Sequence, residues 1–168
     1  GGLWHSDTAY EQTPPLGTML YARELPPYGG DTEFSNMYLA YETLSNGMRA
    51  LLENLIAVNI SGKGRVQDTR APMRGTAATS AREDSFIAEH PVVRTHPETG
   101  RKSLYVNLAH TSHFKGMTVE ESAPILDYLF EHQVKPEFTC RVKWELGTLT
   151  FWDNRCTQHN PLNDYHGF

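Results

Sequence analysis

His5 and Asp7, in Trp4-His5-Ser6-Asp7, place an imidazole and a carboxylate one residue apart. In an extended segment residues i and i+2 point to the same side, so both side chains can face one metal ion. A third ligand has to come from a distant part of the chain. His159 is the best candidate, because it follows Trp152-Asp153-Asn154-Arg155 at the end of an expected core strand. Two imidazoles and one carboxylate form the facial triad of non-haem Fe(II) oxygenases, which leaves positions open for a chelating cosubstrate and O2. Zinc takes similar ligands. Spacing alone therefore leaves open an iron oxygenase, a zinc hydrolase and a non-catalytic cupin-like metal-binding jelly roll.

The elements that must position these residues are short. Gly17–Leu25 reads as a strand and Pro26–Gly30 as a turn, with a second short strand over Asp31–Phe34. Met37, Ala40, Tyr41 and Leu44, then Met48, Leu51, Leu52 and Leu55, keep helical spacing, and Asn46-Gly47 is expected to interrupt the helix. Residues Val92–His96 and Ser103–Val106 flank the turn Pro97–Gly100 as a β-hairpin. Thr118 and Glu121 form a capping-box pattern that opens a helix with Ile125, Leu126, Leu129 and Phe130 inward. Phe138, Cys140, Val142 and Trp144 alternate with polar residues as a half-buried strand, and Leu149 and Phe151 mark another. The expected fold class is mainly β with helical inserts, of the jelly-roll kind. Cys140 is expected to be buried on its strand. Cys140 and Cys156 make no disulfide or zinc framework and fit a reducing compartment.

The 168 residues carry 15 basic and 20 acidic side chains, for a formal net charge of −5. At 39% hydrophobic and 11% aromatic the chain has enough apolar surface for one compact domain. The acidic balance argues against nucleic acid as a partner. No apolar run approaches the roughly 18–20 residues of a membrane span. No secretory signal opens the sequence, so a cytoplasmic protein without a membrane partner is expected. Both ends read as cut. Ser61–Asp84 lacks periodicity but holds Lys63, Arg65, Arg70, Arg74 and Arg82. It reads as a solvated basic loop, with a lid over an anionic ligand as the alternative.

Several blocks run collinearly over essentially the whole chain: Trp4–Asp7, Pro14-Pro15, Ala22–Pro26, Gly29–Thr32, His90–Pro97, Lys135–Phe138, Trp152–Arg155 and Gln158-His159. In this order they resemble the taurine dioxygenase family of Fe(II)/2-oxoglutarate enzymes, whose members include alkylsulfate and aryloxyalkanoate dioxygenases. The resemblance implies a double-stranded β-helix (jelly roll), incomplete here, with residues 1–168 forming one partial catalytic domain. It implies His5, Asp7 and His159 as iron ligands. Thr32 matches the threonine whose hydroxyl binds the distal carboxylate of 2-oxoglutarate. Trp144 and Trp152 match tryptophans near the metal pocket, and Tyr10 an aromatic beside the substrate. His110 falls near another pocket aromatic, and Gly1 where the taurine enzyme has an asparagine; both are departures from that enzyme.

The implied reaction consumes O2 and 2-oxoglutarate, releases succinate and CO2, and hydroxylates a small anionic organic substrate. A sulfonate such as taurine or a sulfate ester is the first reading, an aryloxyalkanoate the second, and a homo-oligomer is expected. The family's arginines for 2-oxoglutarate and for the substrate anion would lie beyond Phe168. Arg155 precedes His159 and is expected to form a structural ion pair instead. Loss of a charge-assisted hydrogen bond costs about 1.5–3 kcal/mol, or about 10- to 150-fold in affinity. This chain is therefore expected to bind iron weakly and turn over poorly.

Overall fold

Short strands joined by tight turns build the molecule, and the computed structural model describes residues 2–61 and 86–165. Gly1 and the basic stretch from Lys63 to Arg82 lie outside the described residues. In chain order the elements are β1 (Gly17–Tyr21), β2 (Thr32–Asn36), α1 (Met37–Glu42), α2 (Asn46–Leu52), β3 (Ile56–Ile60), β4 (Ile87–Pro91), β5 (Val93–Thr95) and β6 (Lys102–Leu104). Then come β7 (Thr111–Phe114), α3 (Val119–His132), a 3-10 turn at Pro136–Phe138, β8 (Thr139–Val142), β9 (Leu149–Asp153) and β10 (Thr157–Pro161). The described strands pair antiparallel as β1–β9, β10–β2–β8, β4–β3–β7 and β5–β6. The protein is mainly β with few helices, as expected.

The helices begin where their caps dictate. Asn36 caps α1 by accepting from the amides of Tyr38 and Leu39. Ser45 caps α2 in the same way through Met48. The expected interruption of the first helical run therefore falls at residues 43–45, and Asn46-Gly47 open the second helix. Thr118 and Glu121 complete the capping box of α3 in both directions. Leu126 and Leu129 of α3 join Met37, Ala40, Leu52, Val92, Leu104 and Phe114 in one buried cluster, with Ile125 and Phe130 packed against it. Each fully buried large aliphatic side chain there contributes about 1.5–3 kcal/mol.

Four expectations need correction. Leu51 is 50% exposed while Leu52 is fully buried, because the short helix presents only a narrow apolar stripe. The apolar run after Leu52 leaves the helix and becomes β3, which with β4 and β7 forms a sheet that the helical reading of Leu55 hides. Cys140 is exposed rather than buried: among the described strands β8 lies at the edge of its sheet, bonded on one side only to β2. In β9 the expected inward pair Leu149 and Phe151 points outward beside Tyr21 and Met19, at 63% and 58% exposure. The opposite face of the β1–β9 ribbon is the buried one, and it carries Thr18 and Trp152.

Two devices aim this framework at His159. Gly29 and Gly30 both adopt positive φ, 72° and 76°, and turn the chain into β2. A polar cluster ties the β9–β10 turn to the β5–β6 hairpin: His96 Nε2 donates to Asp153 at 3.0 Å, and Arg155 bridges Asp153 (2.6 Å) and Glu98 (2.9 Å). Arg155 thus forms the structural ion pair expected of it. Burial alone would raise the Asp153 carboxyl, but hydrogen bonds from Arg155 and His96 outweigh it and hold the group well below the usual carboxylate range. A carboxylate depressed in the folded state contributes stability above its unfolded value, near 3.9, that is lost as pH falls further. Asp153→Asn is therefore expected to cost about 1.5–3 kcal/mol in urea unfolding at pH 7, with the difference from the parent shrinking below about pH 4. An unchanged unfolding midpoint at pH 7 would contradict this.

Candidate metal centre

His5 and His159 form an antiparallel bridge in which each backbone amide donates to the other's carbonyl, at 3.1 and 2.9 Å. Such a hydrogen-bonded pair sets its Cα atoms about 5.5 Å apart with both side chains on one face. The segment at His5 thereby extends the sheet beyond β10, and the two imidazole centroids come to 4.2 Å. Asp7 follows on the same side. Immediately after it Thr8, at φ 47°, takes the left-handed conformation that turns the chain away. Asp7 Oδ1 lies 3.6 Å from His5 Nε2 and 3.8 Å from His159 Nε2.

Hydrogen bonds and packing orient each group. His5 Nδ1 donates to the Leu3 carbonyl at 2.6 Å, which assigns the proton to Nδ1 and leaves the Nε2 lone pair toward Asp7. The His159 ring stacks on Phe34 at 6.0 Å and packs against Trp152 at 4.8 Å. Burial, with repulsion from His5 and against the attraction of Asp7, lowers His159 to about 4. Burial would raise Asp7, but the adjacent His5 and His159 imidazoles and the hydrogen bond from Thr18 outweigh it and bring the group down to about 2. At neutral pH the cluster offers one ionised carboxylate and a neutral buried imidazole, the protonation states that metal binding needs.

The two-nitrogen, one-oxygen donor set fits a divalent transition metal, whose bonds to such atoms are about 2.0–2.2 Å. The separations of 3.6 and 3.8 Å lie within what one ion can bridge at that bond length. A second group, His96, Asp153 and Cys156, also brings its ligand atoms together. There the Arg155 guanidinium occupies the Asp153 carboxylate and opposes a cation.

The other expected site residues gather around this centre. Thr32 is buried on the same face of β2 as Phe34, two residues or about 7 Å along from the position opposite His159. It accepts from Trp144 Nε1 at 3.0 Å, which leaves its own hydroxyl proton to donate. His110 meets His5 edge-on at 6.1 Å, and Tyr10 meets His110 edge-on at 4.9 Å. Asn107 fixes the His110 backbone by accepting from its amide. Sequence reasoning missed Phe34, Thr18 and Asn154. The first stands opposite His159 only by strand register, and the other two reach Asp7 only through the β1–β9 pairing, which no local spacing announces.

The mainly β chain thus brings two remote histidines and a carboxylate together on one sheet face, a group whose ligand atoms could hold a metal ion. The chain belongs to the family described as taurine catabolism dioxygenase TauD, TfdA, which it matches over residues 1–167. It is 40% identical to the alpha-ketoglutarate-dependent dioxygenase cnsP of Penicillium expansum, aligning 98% of the chain with 46% of that protein. With the alpha-ketoglutarate-dependent 2,4-dichlorophenoxyacetate dioxygenase of Cupriavidus pinatubonensis it is 38% identical over 94% of the chain and 53% of the relative. Among solved structures, a taurine dioxygenase from Burkholderia xenovorans superposes with a TM-score of 0.81 at 39% identity, covering 98% of the chain and 53% of that structure. AAD-2 in complex with Mn(II) and N-oxalylglycine also gives 0.81, at 33% identity, over 96% and 58%. The chain thus spans about half the length of these relatives.

The geometry makes Asp7 the link between the two histidines. Asp7→Ala is expected to weaken Mn(II) binding by more than about 100-fold, beyond the range for residues outside the ligand set, as read by the free Mn(II) EPR signal. Retained affinity would contradict the assignment.

Proposed function

We propose that this chain carries the metal centre of an Fe(II)- and 2-oxoglutarate-dependent dioxygenase. His5, Asp7 and His159 would hold the iron, and residues 1–168 would be part of one double-stranded β-helix catalytic domain. The observation that carries the reading is the cross-strand His5–His159 pair with Asp7 Oδ1 facing both Nε2 atoms. Iron held there would supply oxidation by O2 coupled to decarboxylation of 2-oxoglutarate to succinate and CO2, with hydroxylation of the substrate. Two unpaired cysteines fit a cytoplasmic setting.

The chain's own residues bind and orient. The Thr32 hydroxyl, which accepts from Trp144, keeps its proton to donate and would hold the far carboxylate of 2-oxoglutarate. Phe34 and Trp152 pack on the His159 ring and exclude water from that side of the centre. Tyr10 and His110, ranged beyond His5, would border the substrate.

The proposed substrate is a small organic anion. A sulfonate or sulfate ester is the first reading, in line with the relative from Pseudomonas putida named an alpha-ketoglutarate-dependent sulfate ester dioxygenase, 32% identical over 96% of the chain. An aryloxyalkanoate is the second. The row of rings from Phe86 through Tyr10 to His110 favours it, since aromatic walls suit an aromatic group.

Anaerobic Fe(II) with 2-oxoglutarate is expected to give a visible charge-transfer absorption that Asp7→Ala abolishes. Thr32→Val should raise the 2-oxoglutarate concentration needed by about 10- to 150-fold, the value of a hydrogen bond to a charged group. No absorption from the parent chain at saturating 2-oxoglutarate would contradict the proposal. Succinate yields with a sulfonate, a sulfate ester and an aryloxyacetate separate the substrate readings.

A further inference from the structure

Asp7 offers only one of its oxygens to the histidines. The other, Oδ2, accepts from the Thr18 hydroxyl at 2.6 Å, a length typical of a charge-assisted O–H···O bond. Thr18 Oγ1 in turn accepts from Asn154 Nδ2 at 2.9 Å. A hydroxyl has one proton, and an amide NH2 can only donate to it, so the Thr18 proton is committed to Asp7. The orientation of Asn154 is itself decided. Its Oδ1 accepts from Trp152 Nε1 at 3.1 Å and from the Asp7 amide at 3.3 Å, and the flipped amide would set NH2 against two N–H donors. Asn154 is 1% exposed, so each of these bonds is sheltered from water.

The relay begins in the β9–β10 turn, crosses to β1 and ends on the carboxylate. Thr18 stands directly opposite Trp152 in the β1–β9 register. The same Asn154 therefore grips the backbone of Asp7, the indole that packs on His159, and the hydroxyl that holds Asp7 Oδ2. One buried amide fixes both sides of the cluster.

We propose that Thr18 and Asn154 are positioning residues that hold Asp7 as a one-oxygen metal ligand and thereby keep a coordination position open for cosubstrate. The proposal rests on the metal-centre reading above. A carboxylate free to swing could give both oxygens to the ion and fill that position itself. With Oδ2 engaged by Thr18, only Oδ1 remains for the metal.

The test is the Mn(II) dissociation constant of the chain, read by EPR of free Mn(II), for the parent and for Thr18→Val, Thr18→Ser and Asp7→Ala. Outer-shell partners of metal ligands are worth about 10- to 100-fold in affinity, so Thr18→Val should weaken Mn(II) by that factor. Thr18→Ser keeps the hydroxyl and should stay within about threefold of the parent, well inside that range. Urea unfolding with EDTA separates this loss from a loss of fold. Should Thr18→Val not fold, Asn154→Ser reads the same relay and should weaken Mn(II) by about tenfold. Mn(II) affinity of the folded Thr18→Val protein within twofold of the parent, or equal losses in Thr18→Val and Thr18→Ser, would overturn the proposal while loss in Asp7→Ala upholds the metal centre. Unchanged binding in Asp7→Ala would overturn the metal centre, and the relay with it.

Discussion

The structure depends most on one backbone pairing, the bridge in which His5 and His159 exchange both amide hydrogen bonds. It joins the start of the described chain to β10 and puts two imidazoles side by side, where neither local segment could bring a partner alone. Asp7, two residues after His5, then needs no further long-range contact to reach both rings. The turn at Thr8 carries the chain away, so the carboxylate closes the cluster from one side.

Placing two imidazoles and a carboxylate in a half-buried site is costly unless their charges are arranged. Burial and the neighbouring His5 keep His159 neutral, and Asp7 stays ionised because the Thr18 hydrogen bond and the adjacent imidazoles outweigh its desolvation. The arrangement is one of preorganisation: Asn154, Thr18 and the Leu3 carbonyl fix the ligands before an ion arrives, at the expense of burying polar groups that must all be paired. The pairing is incomplete at His159. His159 Nδ1 is buried with no hydrogen-bond partner among the described residues.

The chemistry of this protein was more legible in its sequence than its packing was. His5 and Asp7 are readable because extended backbone has a period of two, and the capping box of α3 because it is a local, four-residue device. The core periodicity of Met37, Ala40 and Tyr41 shows for the same reason. What stayed hidden depends on register between distant strands. The pairing of β10 with β2 brings Phe34 opposite His159, and that of β1 with β9 brings Thr18 to Asp7. Phe151 misleads because alternation says that a strand has two faces but not which one is covered, and Cys140 because alternation does not say which strand lies at a sheet edge. The strand from Ile56 to Ile60 goes unread because a short apolar stretch after a helix fits either a last helical turn or a buried strand.

If the cross-strand pair and its relay define the site, a metal must sit where they converge. The most direct measurement is a crystal structure of the chain grown with Mn(II) and N-oxalylglycine. One Mn(II) is expected, bound by His5 Nε2, His159 Nε2 and Asp7 Oδ1, with Asp7 Oδ2 still on the Thr18 hydroxyl. Mn(II) at His96, Asp153 and Cys156 instead, or held by both oxygens of Asp7, would contradict it.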